Sequence, residues 1–244
     1  MRSRPGLRLD RLSCHAYHES STVPRRPGLL GLAGIFWLGD CVPAPPERVV
    51  VFVDYQNVFM TARQCFHQGP FGPTAGQVDP LKLAELIVQR RQRTSVLAQV
   101  RVYRGLPDAT KEPRPYAANE RQTAAWVQAS LVEVFRRPLR YPRTWPTQRA
   151  QEKGVDVALA IDFVRLAVRG AYDVGVLMST DTDLVPALEA AFEIKTTAVH
   201  IEVAAWKAKH ANRRLSVDGR LPWCHQLSEL DYQSVRDHRD YNLP

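Results

Sequence analysis

The most constraining feature of the chain is a run of five apolar residues, Val49 to Val53, that stops abruptly at Asp54. Four of the five are valine and the fifth is phenylalanine. A continuous run of β-branched and aromatic residues is typical of a strand that is buried on both faces. Such a strand needs helices above and below it, so this run alone predicts an α/β protein with a parallel sheet.

The rest of the chain repeats this alternation of short apolar runs and longer helical segments. Helix starts are readable, as at Pro80, which follows the capping residue Asp79. The alternation predicts a three-layer α/β/α domain with a mainly parallel sheet of about four to five strands. The predicted strands are residues 49–53, 98–103, 173–178, 196–203 and a less regular run at 131–135; the predicted helices are residues 57–67, 80–93, 116–130, 154–169 and 182–192.

Three parts of the chain differ in character. Residues 1–46 mix proline, serine, histidine and arginine without a pattern. We expect a disordered leader there, with a signal peptide or an untranslated stretch as alternatives. Their apolar run, residues 28–39, is too short for a membrane-spanning helix, which needs about 20 residues. Residues 47–205 carry the alternating pattern, and we expect residues 206–244 to be an extension that packs on the domain or is partly disordered.

The charge of the chain favours a polyanionic partner. The formal net charge is +8, and +5 of it follows residue 46, because residues 1–46 hold six arginines against three acids. A basic surface that neutralises phosphates releases counterions and so favours nucleic acid. The four cysteines are far apart and the seven histidines form no zinc motif. This pattern fits a reducing, cytoplasmic compartment, and no membrane partner is expected.

Acidic residues follow two of the predicted strands at the point where each strand ends. Asp54 ends the first strand, and the later one runs into the segment Ser179 to Asp183, which contains Asp181 and Asp183. Active sites of parallel α/β sheets lie at the carboxyl ends of the strands. If these two strands are neighbours, Asp54 and Asp181 face each other, and Asp156, in the first turn of the intervening helix, lies beside them.

Several carboxylates in one pocket repel each other unless a cation is present. Mg²⁺ and Mn²⁺ prefer hard oxygen ligands and suit a site that also receives phosphate. Such a site activates water for in-line displacement at a phosphodiester, and the Asn57 amide is placed to hold a carboxylate or a phosphate oxygen. Each acid also has an ordinary explanation, because helix starts favour acids through capping and the helix dipole. A metal site and a set of caps therefore remain alternatives.

The helix predicted over residues 154–169 is apolar nearly all round, which is typical of a buried helix. Asp162 lies six residues after Asp156, about 240° around the helix, so the two cannot share a face. It also lies three residues before Arg165, at ion-pair spacing. We expect Asp162 to be structural.

Two segments of the chain, VVVFVDYQNVF (residues 49–59) and KGVDVALAIDFVRLAVRGAYDVGVLMSTDTDLVPALEAA (residues 153–191), closely resemble the NYN domain, a branch of the PIN-like ribonuclease superfamily. That family typically shows a strand ending in D-x-x-N, a K-G-V-D helix, and an S-x-D-x-D turn followed by a helix with proline. All three occur here in order, and the resemblance covers residues 48–204. It implies a Rossmann-like sheet of the PIN type. It also implies a metal pocket formed by Asp54, Asp156, Asp181 and Asp183, the first three of them catalytic, with Asn57, Ser179 and Thr180 in support.

A basic, acid-free segment lies between Glu133 and Glu152. Its arginines are interleaved with aromatic residues, and it leads directly to Lys153 and Asp156. Guanidinium groups bind phosphates and aromatic rings stack on unpaired bases. A solvated loop whose aromatics cover the domain surface is the alternative. The residues expected to bind RNA are Arg140, Arg143, Arg149, Lys153, Tyr141 and Trp145.

Together these patterns predict a metal-dependent ribonuclease that cleaves single-stranded or structured RNA internally with Mg²⁺ or Mn²⁺. Metal-activated water would be the nucleophile, and Asp183 would complete the ligand surroundings or hold a second ion. An RNA-binding or scaffold protein of the same fold, weakly active or inactive, is the alternative. A small-molecule phosphatase is disfavoured because Gln56 stands where a D-x-D pair would have its second acid. A homodimer is left open.

Overall fold

The valine-rich run of residues 49–53 lies inside strand β1 (Glu47–Asp54), which pairs in parallel with one strand on each side. The structure, a computed structural model, describes residues 44–67, 69–194, 199–208, 214–217, 219 and 221–243. The leader expected over residues 1–46 lies outside the described residues except for its last three, as does the beginning of the strand expected over residues 196–203.

The described elements follow the alternation that the sequence predicts. No helix among them is long and apolar enough to cross a membrane. After β1 come α1 (Tyr55–Phe66), α2 (Pro80–Gln89), β2 (Ser95–Leu106), α3 (Pro113–Trp126), β3 (Val132–Pro138), α4 (Val155–Val168), β4 (Val174–Met178), a short 3-10 helix (Thr182–Leu184), α5 (Val185–Phe192), β5 (His200–Trp206), β6 (Trp223–Leu227) and α6 (Glu229–Val235).

The sheet contains six strands within the described residues, in the order β3-β2-β1-β4-β5-β6, and every pairing is parallel. The expected four to five strands were too few. Strand β6 was missed because it lies at the edge of the sheet, where Trp223 is 62% exposed and no continuous apolar run is needed. Helix α6 was also missed, although Ser228 and Asp231 form a capping box, which is a readable helix start.

The side chains of β1 divide between two cores, one on each face of the sheet. Val49, Val51 and Val53 pack with residues of α1, α2, α3 and α6. Val50 and Phe52 point to the other face, where α4 and α5 cover them. Because successive side chains of a strand alternate between faces, a strand covered on both sides must be apolar throughout. The three-layer α/β/α architecture is confirmed.

Helix α4 differs from its prediction in one respect. Val157 and Ile161 are 57% and 59% exposed, so the helix is not buried all round. Asp162 forms the expected ion pair with Arg165 at 2.6 Å. It also accepts a hydrogen bond from Arg101 of β2 at 2.9 Å, which fixes α4 on the sheet. Asp162 is therefore structural, as predicted.

The strand order reverses between β1 and β4. The chain leaves β1 toward β2 and β3, and then returns to the opposite side of β1 as β4 before continuing to β5 and β6. Helix α1 therefore leaves the carboxyl end of β1 over one face, and α5 leaves β4 over the other. Open α/β sheets bind ligands in the crevice that such a reversal creates. The two strands that end in acids meet at this crevice.

Candidate metal centre

Three carboxylates meet at the carboxyl ends of β1 and β4. Asp54 is the last residue of β1, Asp156 lies in the first turn of α4, and Asp181 precedes the short 3-10 helix that follows β4. One carboxylate oxygen from each of the three lies within 4.8 Å of the others. The pairing of Val53 with Met178 brings the two strand ends side by side. The predicted approach of Asp54, Asp156 and Asp181 is thus present in the structure.

Asp54 is the most buried acid of the three, with only 3% of its surface exposed. Its Oδ1 accepts a hydrogen bond from the backbone N–H of Asn57 at 3.2 Å and so caps α1. Its Oδ2 accepts from the Ser179 hydroxyl at 2.8 Å. Burial raises the pKa of Asp54 from its ordinary value of 3.8 to about 7, against these two hydrogen bonds and with added repulsion from Asp156 and Glu152. Its charged form is therefore unfavourable without a nearby cation.

The turn after β4 is braced against the start of α1. Asn57 Oδ1 accepts hydrogen bonds from the backbone N–H and the hydroxyl of Thr180, at 3.1 and 3.2 Å. The Ser179 hydroxyl oxygen accepts from the backbone N–H of Asp181 at 3.0 Å while its proton goes to Asp54. The amide and hydroxyls therefore set the position of the carboxylates. Asn57 fixes the turn through its amide oxygen, which accepts both hydrogen bonds from Thr180.

Asp156 owes its position to Gly154, the residue before the first turn of α4. Gly154 has φ of +77°, in the left-handed region that favours glycine, and no side chain caps the helix there. Burial raises the pKa of Asp156, and the charges of Asp181 and Asp183 raise it further. The K-G-V-D sequence thus provides the backbone bend that directs Asp156 to the other two acids.

Asp183 lies apart from the three clustered acids. It is exposed, and the group whose oxygens approach within 4.8 Å does not include it. Its backbone N–H donates to Asp181 Oδ1 at 3.0 Å, which is the capping contact expected at a helix start. Its charge still raises the pKa of Asp156, so it is close enough to contribute to the field at the site.

Glu152 belongs to the same acidic environment and was not singled out from the sequence. Its Oε1 accepts from the backbone N–H of Gly105 at 2.6 Å, and the Gln56 amide, oriented to donate, lies 2.7 and 2.9 Å from its two oxygens. Burial raises its pKa, as does the charge of Asp156. The signal that would have identified it is its place directly before the K-G-V-D segment.

The basic loop, residues 140–151 of the acid-free segment between Glu133 and Glu152, closes beside Glu152. The backbones of Arg140 and Gln151 pair through two hydrogen bonds, so the loop closes immediately before Glu152. Its cationic side chains are on the surface, and its two aromatic rings pack edge to face with centroids 5.0 Å apart. The hydroxyl of Tyr141 is already engaged, since it accepts from Asp108 N–H and donates to Glu112. The exposed residues are Arg140, Arg143, Arg149 and Lys153; Tyr141 and Trp145 are half-buried.

Two concave regions lie near the start of α1. A cleft of about 610 Å³ is lined by Asp181 and Arg214. A cavity of about 420 Å³ is lined by Glu152, Arg104 and Tyr55. Consecutive residues at the start of α1, Gln56 and Asn57, each line one of them. The cleft therefore borders the metal site through Asp181, and the cavity borders Glu152.

The match to a known protein family agrees with the geometry of the site. The sequence model of the NYN domain matches residues 48–216, and the chain belongs to this family of PIN-like ribonucleases. Membership implies nuclease-type chemistry on RNA, and the three clustered carboxylates form a group able to bind a metal ion. No curated protein matches the chain. Among solved structures it is similar to a protein of unknown function from Vibrio parahaemolyticus, with 16% identity, a TM-score of 0.43, and coverage of 66% of this chain and 82% of that one.

Proposed function

We propose that the protein is a metal-dependent endoribonuclease that binds Mg²⁺ or Mn²⁺ with Asp54, Asp156 and Asp181. The observation that carries the proposal is the approach of three carboxylates, from three different elements, to within 4.8 Å. No lysine or arginine in the described part of the chain forms an ion pair with any of the three. A divalent cation bound among the three carboxylates would offset their mutual repulsion.

The donor set fits a hard divalent ion. All three groups are carboxylates, and Mg²⁺ bonds oxygen at about 2.0–2.1 Å in octahedral geometry, so its ligand oxygens lie about 3–4 Å apart. One oxygen of each acid lies within 4.8 Å of the others, which is close to that spacing. Histidine and cysteine are absent from the group, which favours Mg²⁺ or Mn²⁺ over zinc.

Hydrogen bonds from neighbouring residues orient the acids. Ser179 and the Asn57 backbone each hold one oxygen of Asp54, while Asn57 through its side chain holds the turn that carries Asp181. When bound, the metal supplies Lewis-acid chemistry, lowering the pKa of water and offsetting charge on the phosphoryl group. Asp183, exposed at the rim, supports a second ion or the surroundings of the first.

RNA is the proposed substrate, and internal cleavage fits the shape of the site. The cleft beside Asp181 has a volume of about 610 Å³, which gives room for a strand that continues past the cleaved bond. We assign phosphate contacts to Arg140, Arg143, Arg149 and Lys153 and base stacking to Trp145. Tyr141 also stabilises the loop, because its hydroxyl accepts a hydrogen bond from the Asp108 N–H and donates one to Glu112.

The wider setting is part of the same proposal. Residues 47–205 form the nuclease domain, with residues 206–244 as its extension, and the protein acts in the cytoplasm. A homodimer gains no support from the family or from the described residues. The alternative is an RNA-binding protein that does not cleave RNA, and a cleavage assay distinguishes it from a nuclease.

Cleavage of a fluorescent RNA panel by the full chain, in Mn²⁺, Mg²⁺ or EDTA, tests the proposal. Asp54→Asn and Asp181→Asn are purified in parallel, with Glu193→Gln as a control that removes an exposed carboxylate outside the site. We expect metal-dependent cleavage by wild type and by the control, reduced about 10³-fold or more in the two site variants. Equal traces of cleavage in all four samples would identify a contaminant. Metal and RNA binding without cleavage would make the protein a binder.

A further inference from the structure

The cleft of about 610 Å³ beside the metal centre contains a cation that does not belong to the basic loop. Its described walls are the turn after β4, one side of α1, and residues 214–216. Asp181, one of the three clustered acids, and Arg214 both line this space. Proteins bind ligands in concave spaces of about 300–1,000 Å³. The cleft therefore connects the metal centre with a positively charged side chain.

One wall of the cleft is a face of helix α1. The lining residues of this helix are Asn57, Met60, Thr61 and Gln64. Their spacing of three and four residues places them on one face of the helix. Asn57 lies at the end near the acids, because its side-chain oxygen accepts a hydrogen bond from the backbone N–H of Thr180. The wall leads from there to the exposed Gln64, about 10 Å along the helix axis.

A second wall is a short segment that two buried side chains fix to the domain. Leu215 and Val217 are 3% and 2% exposed and pack in the core on the α4 and α5 face of the sheet. Arg214 and Ser216 alternate with them and are exposed. This alternation is that of an extended segment, which directs successive side chains to opposite sides. Burial of Leu215 and Val217 therefore places Arg214 and Ser216 on the surface, where both line the cleft.

Arg214 has no acidic partner among the described residues. None of their ion pairs includes it. Asp181 is the one acid among the described residues that line the cleft, and a metal ion bound by the three acids would offset its charge. A guanidinium group carries five N–H donors and binds two oxygens of one phosphate at once. The cleft therefore favours a phosphate over a neutral group near Arg214.

We propose that this cleft binds the RNA strand on one side of the cleaved bond, and that Arg214 contacts a phosphate there that is not itself cleaved. The assignment rests on the proposed function, which takes RNA as the substrate and the three acids as the place of cleavage. The described residues that line the cleft include none of the basic loop, so this contact adds to those of the loop. Phosphate contacts carry no sequence information, so we expect Arg214 to strengthen binding of RNAs of any sequence.

The test measures RNA binding in EDTA, so that it does not depend on cleavage. The full chain is titrated at several salt concentrations with a labelled single-stranded RNA of about eight nucleotides. Arg214→Gln removes the guanidinium from the cleft. Arg169→Gln, at an exposed position at the C-terminal end of α4, removes the same charge and is the matched control. In the Arg214→Gln background, Gln64→Lys returns a cation to the same cleft, whereas Gln128→Lys returns it to an exposed position just after α3.

We expect Arg214→Gln to weaken RNA binding about 3- to 10-fold at low salt, because one phosphate contact is lost. The slope of log affinity against log salt should become shallower by about 0.7, the value for one neutralised phosphate of a single strand. Arg169→Gln should match wild type in both. Gln64→Lys should restore most of the affinity and slope, and Gln128→Lys should not. The melting temperature of Arg214→Gln should equal that of wild type, because the replaced side chain is exposed.

The position of the strand beside the metal centre has its own test. Without metal, the negative charge of Asp181 opposes a phosphate backbone in the same cleft. Asp181→Asn should therefore tighten RNA binding in EDTA by about 2- to 5-fold at low salt. Glu193→Gln, which removes an exposed carboxylate outside the site, should not. Equal binding by wild type and Asp181→Asn would place the strand away from the acids and overturn the assignment.

The remaining outcomes separate this RNA path through the cleft from the nuclease. An unchanged salt slope in Arg214→Gln, or equal rescue by Gln64→Lys and Gln128→Lys, would overturn the path, and intact metal-dependent cleavage would then leave the nuclease standing. The expected pattern in EDTA without any cleavage in Mn²⁺ would support the path and refute the nuclease. Inorganic phosphate that displaces the RNA at an equal concentration of phosphate groups would make the cleft a site for free anions and overturn the assignment to a strand.

Discussion

Removing the charge of Asp54 should stabilise the metal-free protein, and the gain should grow with pH. The folded chain binds the Asp54 proton more tightly than the unfolded chain, because burial raises its pKa from 3.8 to about 7. Stability is therefore lost as pH rises from about 4 to about 7, and the loss is complete above that range. Asparagine at position 54 has no charge to bury, so the stability of Asp54→Asn should not fall as pH rises through this range.

The magnitude follows from the size of the pKa change. The raised pKa of Asp54 lowers the free energy of unfolding by about 4 kcal/mol at pH 8, and by about 2 kcal/mol at pH 5, where only the unfolded chain ionises this carboxyl. Weakened hydrogen bonds from Ser179 and Asn57 offset part of the gain, but equally at both pH values. The difference between the two pH values, about 2–3 kcal/mol, isolates the ionisation of Asp54 and corresponds to about 5–10 °C in melting temperature.

The assay is thermal unfolding of wild type and Asp54→Asn in EDTA at pH 5 and pH 8, with Glu193→Gln as the exposed-carboxylate control. The gap between Asp54→Asn and wild type should widen from pH 5 to pH 8, while the control follows wild type. Adding Mn²⁺ at 100 times its dissociation constant should stabilise wild type by about 2.7 kcal/mol and close much of the gap. A gap of the same size at both pH values would refute the claim that burial raises the pKa of this carboxyl.

The remaining predictions concern residues that position the acids or contact RNA. Gly154→Ala places a side chain at φ of +77°, so we expect a loss of about 1 kcal/mol in unfolding free energy and weaker Mn²⁺ binding by calorimetry; unchanged values would contradict the left-handed bend. Ser179→Ala removes the hydrogen bond to Asp54 and should reduce the cleavage rate about 10-fold at pH 7, with partial recovery at pH 9, where Asp54 ionises without it; equal losses at both pH values would argue against this role. Asp162→Asn removes the ion pairs with Arg101 and Arg165 and should lower the unfolding free energy by about 1–3 kcal/mol. Its Mn²⁺ affinity should equal that of wild type, and loss of Mn²⁺ binding would contradict the structural role of Asp162. Alanine at Arg140, Arg143 or Arg149 should each lower the salt dependence of RNA binding by about one counterion, and unchanged slopes would assign these side chains to the solvated alternative.

The centre of the fold was predictable because a strand that is buried on both faces requires a continuous apolar run in the sequence. Residues 49–53 of β1 are covered on both faces of the sheet, and all five are apolar. Parallel strands that alternate with helices then require the three layers. Strand β6 pairs on one side only and exposes Trp223, so nothing in its composition demanded a strand.

The acids were predictable as a group, but their surroundings were not. Asp54 and Asp181 follow the ends of apolar runs, and a parallel sheet brings such ends together. Glu152 follows an irregular loop, and its contact with Gly105 depends on how that loop folds back on β2. The Gln77 carbonyl accepts a hydrogen bond from the Asp237 N–H of the C-terminal segment, a contact that no local pattern encodes. Tertiary contacts between irregular segments are what the sequence leaves undetermined.

Mn²⁺ titration of the full chain by isothermal calorimetry, in parallel with RNA cleavage in the same samples, tests whether the three carboxylates form a catalytic metal site. The proteins are wild type, Asp54→Asn, Asp156→Asn, Asp181→Asn and, as an acid outside the centre, Asp162→Asn. We expect one Mn²⁺ site. Each of the three centre variants should lose it or bind Mn²⁺ at least 10-fold more weakly, with cleavage falling in parallel, while Asp162→Asn retains both. Equal Mn²⁺ binding and equal cleavage in all five proteins would contradict it.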